Sequence, residues 1–128
     1  MASENVPRPE PAIRTVPRPA DANASGDIFG GWILSQMDIA GAVVAVEQAK
    51  GRVVTVAIEA MTFHRPVFVG DLVSCYASVA RIGRTSITVH IETVVRRARH
   101  EDAVTVTEGT FTYVAVDGEG APRPIVAG

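Results

Sequence analysis

Gly31-Trp-Ile-Leu-Ser-Gln-Met-Asp38-Ile-Ala-Gly-Ala-Val-Val-Ala-Val-Glu-Gln-Ala-Lys50 runs straight into Gly51. Apolar side chains at Trp32, Ile33, Leu34, Met37, Ile39, Ala40, Ala42, Val43, Val44, Ala45 and Val46 leave only a narrow polar stripe. That spacing predicts a helix over 31–50, buried around most of its circumference. Gly51 reads as the C′ residue that ends it, with Lys50 favourably placed in the last turn. Asp38 is the exception, a carboxylate two turns inside an otherwise apolar helix.

Beyond Gly51 the periodicity changes to two. The runs 52–61, 72–82, 86–97 and 104–116 are rich in Val, Ile and Thr, and Pro66-Val-Phe-Val-Gly-Asp71, Gly83-Arg-Thr85 and residues 98–103 separate them. Such runs are strands, and neighbours joined by short links are expected to pair antiparallel. Residues 12–16 add a short first strand, stopped by Pro17 and Pro19. Strands of up to about a dozen residues curl by their own twist. A helix apolar nearly all round and a long curling sheet hide their surfaces when the sheet wraps the helix. The predicted fold is therefore α+β, in the hotdog arrangement.

A chain of 128 residues holds one core and has no room for a separate cofactor domain. Residues 1–11, rich in Pro and charge, are expected to form a flexible N-terminal tail ahead of a folded domain over 12–128. A net charge of -2 gives no bulk attraction to nucleic acid or to an anionic membrane, and neither is expected as a partner. The N-terminus lacks the apolar core of a signal peptide, and no stretch reaches the roughly 18 apolar residues of a membrane span. Cys75, the single cysteine, has no partner for an intramolecular disulfide. A cytoplasmic location is expected.

Ahead of the helix, Asp21-Ala-Asn23-Ala-Ser25-Gly-Asp27 is a loop by its turn chemistry. Gly30 and Gly31 at the helix mouth permit close backbone approach, and the Gly31 N–H is a candidate oxyanion donor. Asp38 can act as base or nucleophile, or simply hydrogen-bond Ser35 or Gln36. Asn23 can orient a water, bind a carbonyl, or form an Asx turn. Asp27 is expected to cap the helix. Donor, base and loop amide together suggest acyl transfer or hydrolysis. Asp38 follows Gly31 by seven residues, which puts it roughly 10 Å further along the axis. A carbonyl held at Gly31 is thus hard for the same chain's Asp38 to reach, whereas antiparallel helices across a dimer would deliver the partner's carboxylate twice by symmetry.

Ser25 and Ser35 lack the Gly-x-Ser-x-Gly elbow of an exposed nucleophilic serine. His64, His90 and His100 show no metal-ligand spacing, and neither a metal nor an organic cofactor is expected. His64 reads as a strand-end residue with a satisfied ring, and His90 as facing solvent or an interface.

Gly26-Asp-Ile-Phe-Gly-Gly-Trp-Ile-Leu-Ser-Gln-Met-Asp38 resembles the signature of hotdog-fold acyl-CoA thioesterases of the short bacterial YciA type. The likeness continues through Gly51-Arg-Val-Val-Thr-Val, Met61-Thr-Phe-His-Arg-Pro-Val-Phe-Val-Gly-Asp71, Val94-Val-Arg-Arg97 and Phe111-Thr-Tyr-Val-Ala-Val-Asp117. It implies hydrolysis of acyl-CoA to free coenzyme A and a carboxylic acid, a homodimer with a continuous sheet, and often a hexameric trimer of such dimers. By the same resemblance, Asp38 falls on the family's essential helix aspartate and Asn23 on its loop asparagine.

Coenzyme A carries a pyrophosphate and a 3′-phosphate, so cations are expected near one mouth of the site. Arg81, Arg84, Arg96, Arg97 and Arg99 are the candidates, and Gly83-Arg84-Thr85-Ser86 could add backbone and hydroxyl donors. Gly30 joins them as a residue expected to line the substrate. An ordinary solvated hairpin edge is the alternative for these arginines. Two other functions remain open: a hotdog hydratase or dehydratase, which would want a His on the central helix, and a non-catalytic acyl-CoA-binding protein.

Overall fold

The structure is a computed structural model that describes residues 10–97 and 102–125. The expected tail over 1–11 lies outside the described residues up to residue 9, as do Arg99 and His100. The chain order is β1 (Ile13–Thr15), a short 3-10 turn (Pro19–Asp21), α1 (Gly30–Ala49), β2 (Val53–Phe63), β3 (Leu72–Ile82), β4 (Ser86–Arg96) and β5 (Ala103–Ala115). All five strands form one antiparallel sheet in the order β1-β3-β4-β5-β2.

The inward face of that sheet, with Ile87, Val89 and Ile91 on β4 and Phe111 and Tyr113 on β5, is fully buried against α1. Helix residues Ile33, Met37, Ala40, Gly41, Ala45 and Ala49 face it, recurring at helical spacing. The expected α+β hotdog architecture is what forms. Gly41 is required by the packing: a Cβ there would lie 2.2 Å from the Tyr113 Oη and 2.7 Å from Ile91 Cδ1. Its missing side chain lets the tyrosine hydroxyl touch the helix backbone.

Three local expectations need correction. β2 and β3 do not pair, because the connection between them bonds to the loop ahead of α1 instead of forming a hairpin; Ile28 N–H donates to Val67 O at 2.8 Å. β2 crosses to the far edge and pairs with β5. Gly51 is not the left-handed residue at the helix end: Lys50 is, with φ 56°, and its N–H donates to Val46 O. Arg123 crosses Gly51 closely and donates from Nη2 to the Ala49 carbonyl at 2.8 Å, satisfying the helix C-terminus. Finally, α1 is not buried all round within one protomer. Ile39, Val43 and Val46 stay exposed opposite the sheet, as do Val56 and Ile58 on the edge strand β2.

Candidate active site

The middle of α1 holds Asp38 half-buried over the sheet. Its Oδ1 accepts two hydrogen bonds, from Thr55 Oγ1 at 2.7 Å and from the Tyr113 hydroxyl at 3.0 Å. The same hydroxyl lies 2.8 Å from the Asp38 main-chain carbonyl. Tyr113 is fully buried, and that burial, reinforced by the Asp38 charge and hydrogen bond, pushes its phenol far above the ordinary range. It therefore stays a proton donor at any working pH. Asp38 Oδ2 has no hydrogen-bond partner among the described residues.

Sequence reasoning offered Ser35 and Gln36 as partners of Asp38. Ser35 instead donates to the Trp32 carbonyl at 2.7 Å. The real partners come from two strands, and only their alternation could have pointed to them: Tyr113 shares the inward phase of Phe111 on β5. A register shift between Thr55 and Ala57 bulges β2 beside Thr55, a feature that re-aims side chains.

The N-terminal turn of α1 is built differently. Phe29 occupies the N-cap without a side-chain hydrogen bond, so Asp27 is not the expected cap. Asp27 instead bridges to Phe68, while its N–H donates to Asn23 Oδ1 at 3.1 Å. Ser25 N–H donates to the same oxygen at 2.9 Å, so Asn23 does form an Asx turn. Its amide NH2 has no acceptor among the described residues. The Gly30 and Gly31 N–H groups likewise have none, and Gly31 is exposed. A cleft of about 370 Å³ opens here, lined by Asn23, Gly30, Phe63, His64, Arg65 and Val67 among others. The structure thus brings Asn23 and Gly30 together at the helix mouth, beside Gly31, and leaves Asp38 out of that cleft. The arginine sharing it is Arg65, which no sequence signal singled out.

The expected cationic residues do not meet within one chain. Leu72 pairs with Arg96 and Ile82 with Ile87, so the Gly83-Arg84-Thr85 turn and Arg96 cap opposite ends of the β3–β4 hairpin, roughly 33 Å apart at strand spacing. At one end, the Gly83 N–H donates to Ser86 O at 2.8 Å and Arg84 is exposed. At the other, Arg96 is exposed while Arg97 is already engaged. Arg97 Nη2 donates to Pro66 O at 2.9 Å, lies 3.7 Å from Asp71 Oδ2, and its guanidinium sits 5.0 Å over the Phe68 ring. Arg97 ties down the loop that walls the cleft.

His64 is satisfied as expected, its Nε2 lying 3.1 Å from Glu108 Oε2, and half-exposed His90 approaches the other oxygen of the same carboxylate at 3.6 Å. Among the described residues no group of His, Cys, Asp and Glu is arranged to hold a metal, and no helix is long and apolar enough to cross a membrane. Cys75 is buried in the core, which pushes its thiol up and leaves it unreactive.

An antiparallel sheet wrapped on one helix, with a carboxylate at mid-helix and unsatisfied donors at the helix mouth, defines a hotdog-type acyl-thioester enzyme. The thioesterase superfamily model matches residues 25–101. The chain is 54% identical over 125 residues to the acyl-CoA thioester hydrolase YciA of Salmonella typhimurium, covering 95% of this chain and 94% of the relative. A hexameric thioesterase from Yersinia pestis is 52% identical, with a TM-score of 0.90 over 96% of this chain and all of that one. A hexameric hotdog fold thioesterase of Campylobacter jejuni is 42% identical, with a TM-score of 0.89 over 94% and 93% of the two chains. The chain belongs to the thioesterase superfamily, within its YciA-type acyl-CoA thioester hydrolases.

Proposed function

We propose that this protein hydrolyses acyl-CoA to free coenzyme A and a carboxylic acid, at sites each shared between two copies of the chain. The observation that carries this is the separation of Asp38 from the Asn23–Gly31 cleft along one helix. Gly31 N–H holds the thioester oxygen, Asn23 offers its free amide hydrogens, and Asp38 arrives from the partner. Acting as a base, the carboxylate takes a proton from water as the oxygen adds to the thioester carbon. The negative charge gathers on the carbonyl oxygen facing the helix N-terminus. The C–S bond then breaks and the proton passes to the coenzyme A thiolate. As a nucleophile, the same carboxylate would add to the thioester carbon and expel the coenzyme A thiolate, which takes a proton from solvent, leaving an anhydride that water opens to the free acid and the regenerated carboxylate; both routes use one free carboxylate oxygen.

The exposed apolar surface of Ile39, Val43 and Val46 on α1, continuous in character with Val56 and Ile58 on the β2 edge, supports pairing with a second copy. Pairing along β2 would extend the sheet across the two-fold, and the hexameric relatives support three such dimers. The reaction draws on neither metal nor organic cofactor, on one domain over 12–128, in the cytoplasm. Arg96 and the Gly83-Arg84-Thr85-Ser86 turn serve coenzyme A only if different subunits bring them to one mouth. A steady-state assay over acyl-CoA esters, run beside sedimentation of the same sample, tests the reading. Turnover by the oligomer supports it, and turnover by a stable monomer at the same specific rate overturns it.

A further inference from the structure

The geometry around Asp38 carries more than the presence of a carboxylate. Both hydrogen bonds from neighbouring side chains converge on Oδ1, and Oδ2 receives none among the described residues. The two donors reach it from different strands, Thr55 on β2 and Tyr113 on β5, which are themselves paired at that level as Thr55↔Tyr113. A carboxylate on an exposed helix surface turns freely about its terminal bond, whereas one gripped on a single oxygen presents the other in a fixed direction.

We propose that Thr55 and Tyr113 are positioning residues for catalysis, which clamp Asp38 by Oδ1 and leave Oδ2 as the oxygen that reacts. The inference rests on Asp38 being the catalytic carboxylate. Tyr113 is suited to the task because its ring is locked in the core and its hydroxyl is pinned between Oδ1 and the Asp38 carbonyl. Gly41 makes the clamp possible, since any side chain there would occupy the place of the tyrosine hydroxyl. Thr55 is exposed within one chain and sits beside the β2 bulge, so it contributes little to the core, and sedimentation of the variant checks that pairing along the β2 edge is kept. The clamp also couples catalysis to the sheet: a shift of β2 against β5 would swing the reactive oxygen.

The test is a double-mutant cycle on the intact oligomer, with an acyl-CoA substrate. Thr55→Val, which keeps the shape and removes the hydroxyl, is expected to lower kcat roughly tenfold, as for loss of a hydrogen bond to a charged group, with KM nearly unchanged. Thr55→Ser should recover most of that rate, because the hydroxyl is restored. In an Asp38→Asn background, Thr55→Val should cost almost nothing further, as the carboxylate it positions is gone. Tyr113→Phe should follow the same pattern, with Tm measured in parallel to separate loss of folding from loss of rate. Parent-like kcat in Thr55→Val, or an equal cost of Thr55→Val with and without Asp38, overturns the clamp. Near-normal turnover of Asp38→Asn itself would instead overturn the assignment of the carboxylate on which the clamp rests.

Discussion

The first turn of α1 and its middle lie about 10 Å apart on one helix, yet they are finished in opposite ways. At Asp38 one oxygen is held twice by Thr55 and Tyr113. At the first turn the donors are unspent: Gly30 and Gly31 N–H and the Asn23 amide have no acceptors among the described residues. One region offers a carboxylate held on a single oxygen, the other a set of unspent donors beside Asp27 and His64, the latter already engaged by Glu108. The helix itself keeps them apart in a single chain. Their complementarity becomes useful when a second copy lays its helix alongside, which the apolar outer face of α1 favours.

The contrast breaks most visibly if the carboxylate is removed. Asp38→Asn should leave a folded oligomer and lower kcat by on the order of 100-fold or more, the scale for loss of a base or nucleophile; a kcat within a few-fold of the parent would detach the middle of α1 from the chemistry. The other half is sharpened by Asn23→Asp. This change keeps the oxygen that Ser25 and Asp27 N–H groups need for the loop, while deleting the unspent NH2 and adding charge near the oxyanion. A fall in kcat of roughly tenfold or more, with parent-like Tm, is expected from steady-state assays and thermal melts. A drop in Tm with intact kcat would reduce Asn23 to its turn.

Much of this arrangement is written in local sequence, and the parts that are not have a common cause. The helix and the four long strands emerge within a residue or two because their periodicity is a property of neighbouring positions. The pairing of β2 with β5 rather than β3 depends on where the 64–71 connection finds its hydrogen bonds, and that is settled by the loop at Ile28. Asn23 and Asp38 stand out by residue type and context. Tyr113 and Thr55 do not, since each looks like an ordinary strand residue until the strands pair and Gly41 opens space above the sheet. Arg97 shows the converse. Its charge suggested phosphate, but Pro66, Asp71 and Phe68 already hold it.

A smaller effect separates that arginine from its neighbour. Arg97→Ala should loosen the cleft wall and slow hydrolysis of acyl-CoA and of a short thioester without the nucleotide to a similar degree, by a few-fold. Arg96→Ala, at an exposed strand-end position whose side chain makes no hydrogen bond or ion pair with the described residues, should raise KM for acyl-CoA alone, and less so at high salt. Losses confined to the nucleotide-bearing substrate in the Arg97 variant would return that residue to phosphate binding.

The division of the site between chains is tested most directly by mixing two impaired parents and reading the gain over their summed residual rates. Asp38→Asn subunits and Asn23→Asp subunits each spoil both sites of their own dimer. After subunit exchange, half the dimers are mixed and each should carry one site with both groups intact, returning roughly a quarter of the parent rate at equal mixing. Exchange is followed independently by mass spectrometry of the assemblies. Recovered activity that rises with the mixed fraction is the expected result. Mixed dimers that form in full and stay inactive would mean that Asp38 and Asn23 serve the same chain's site.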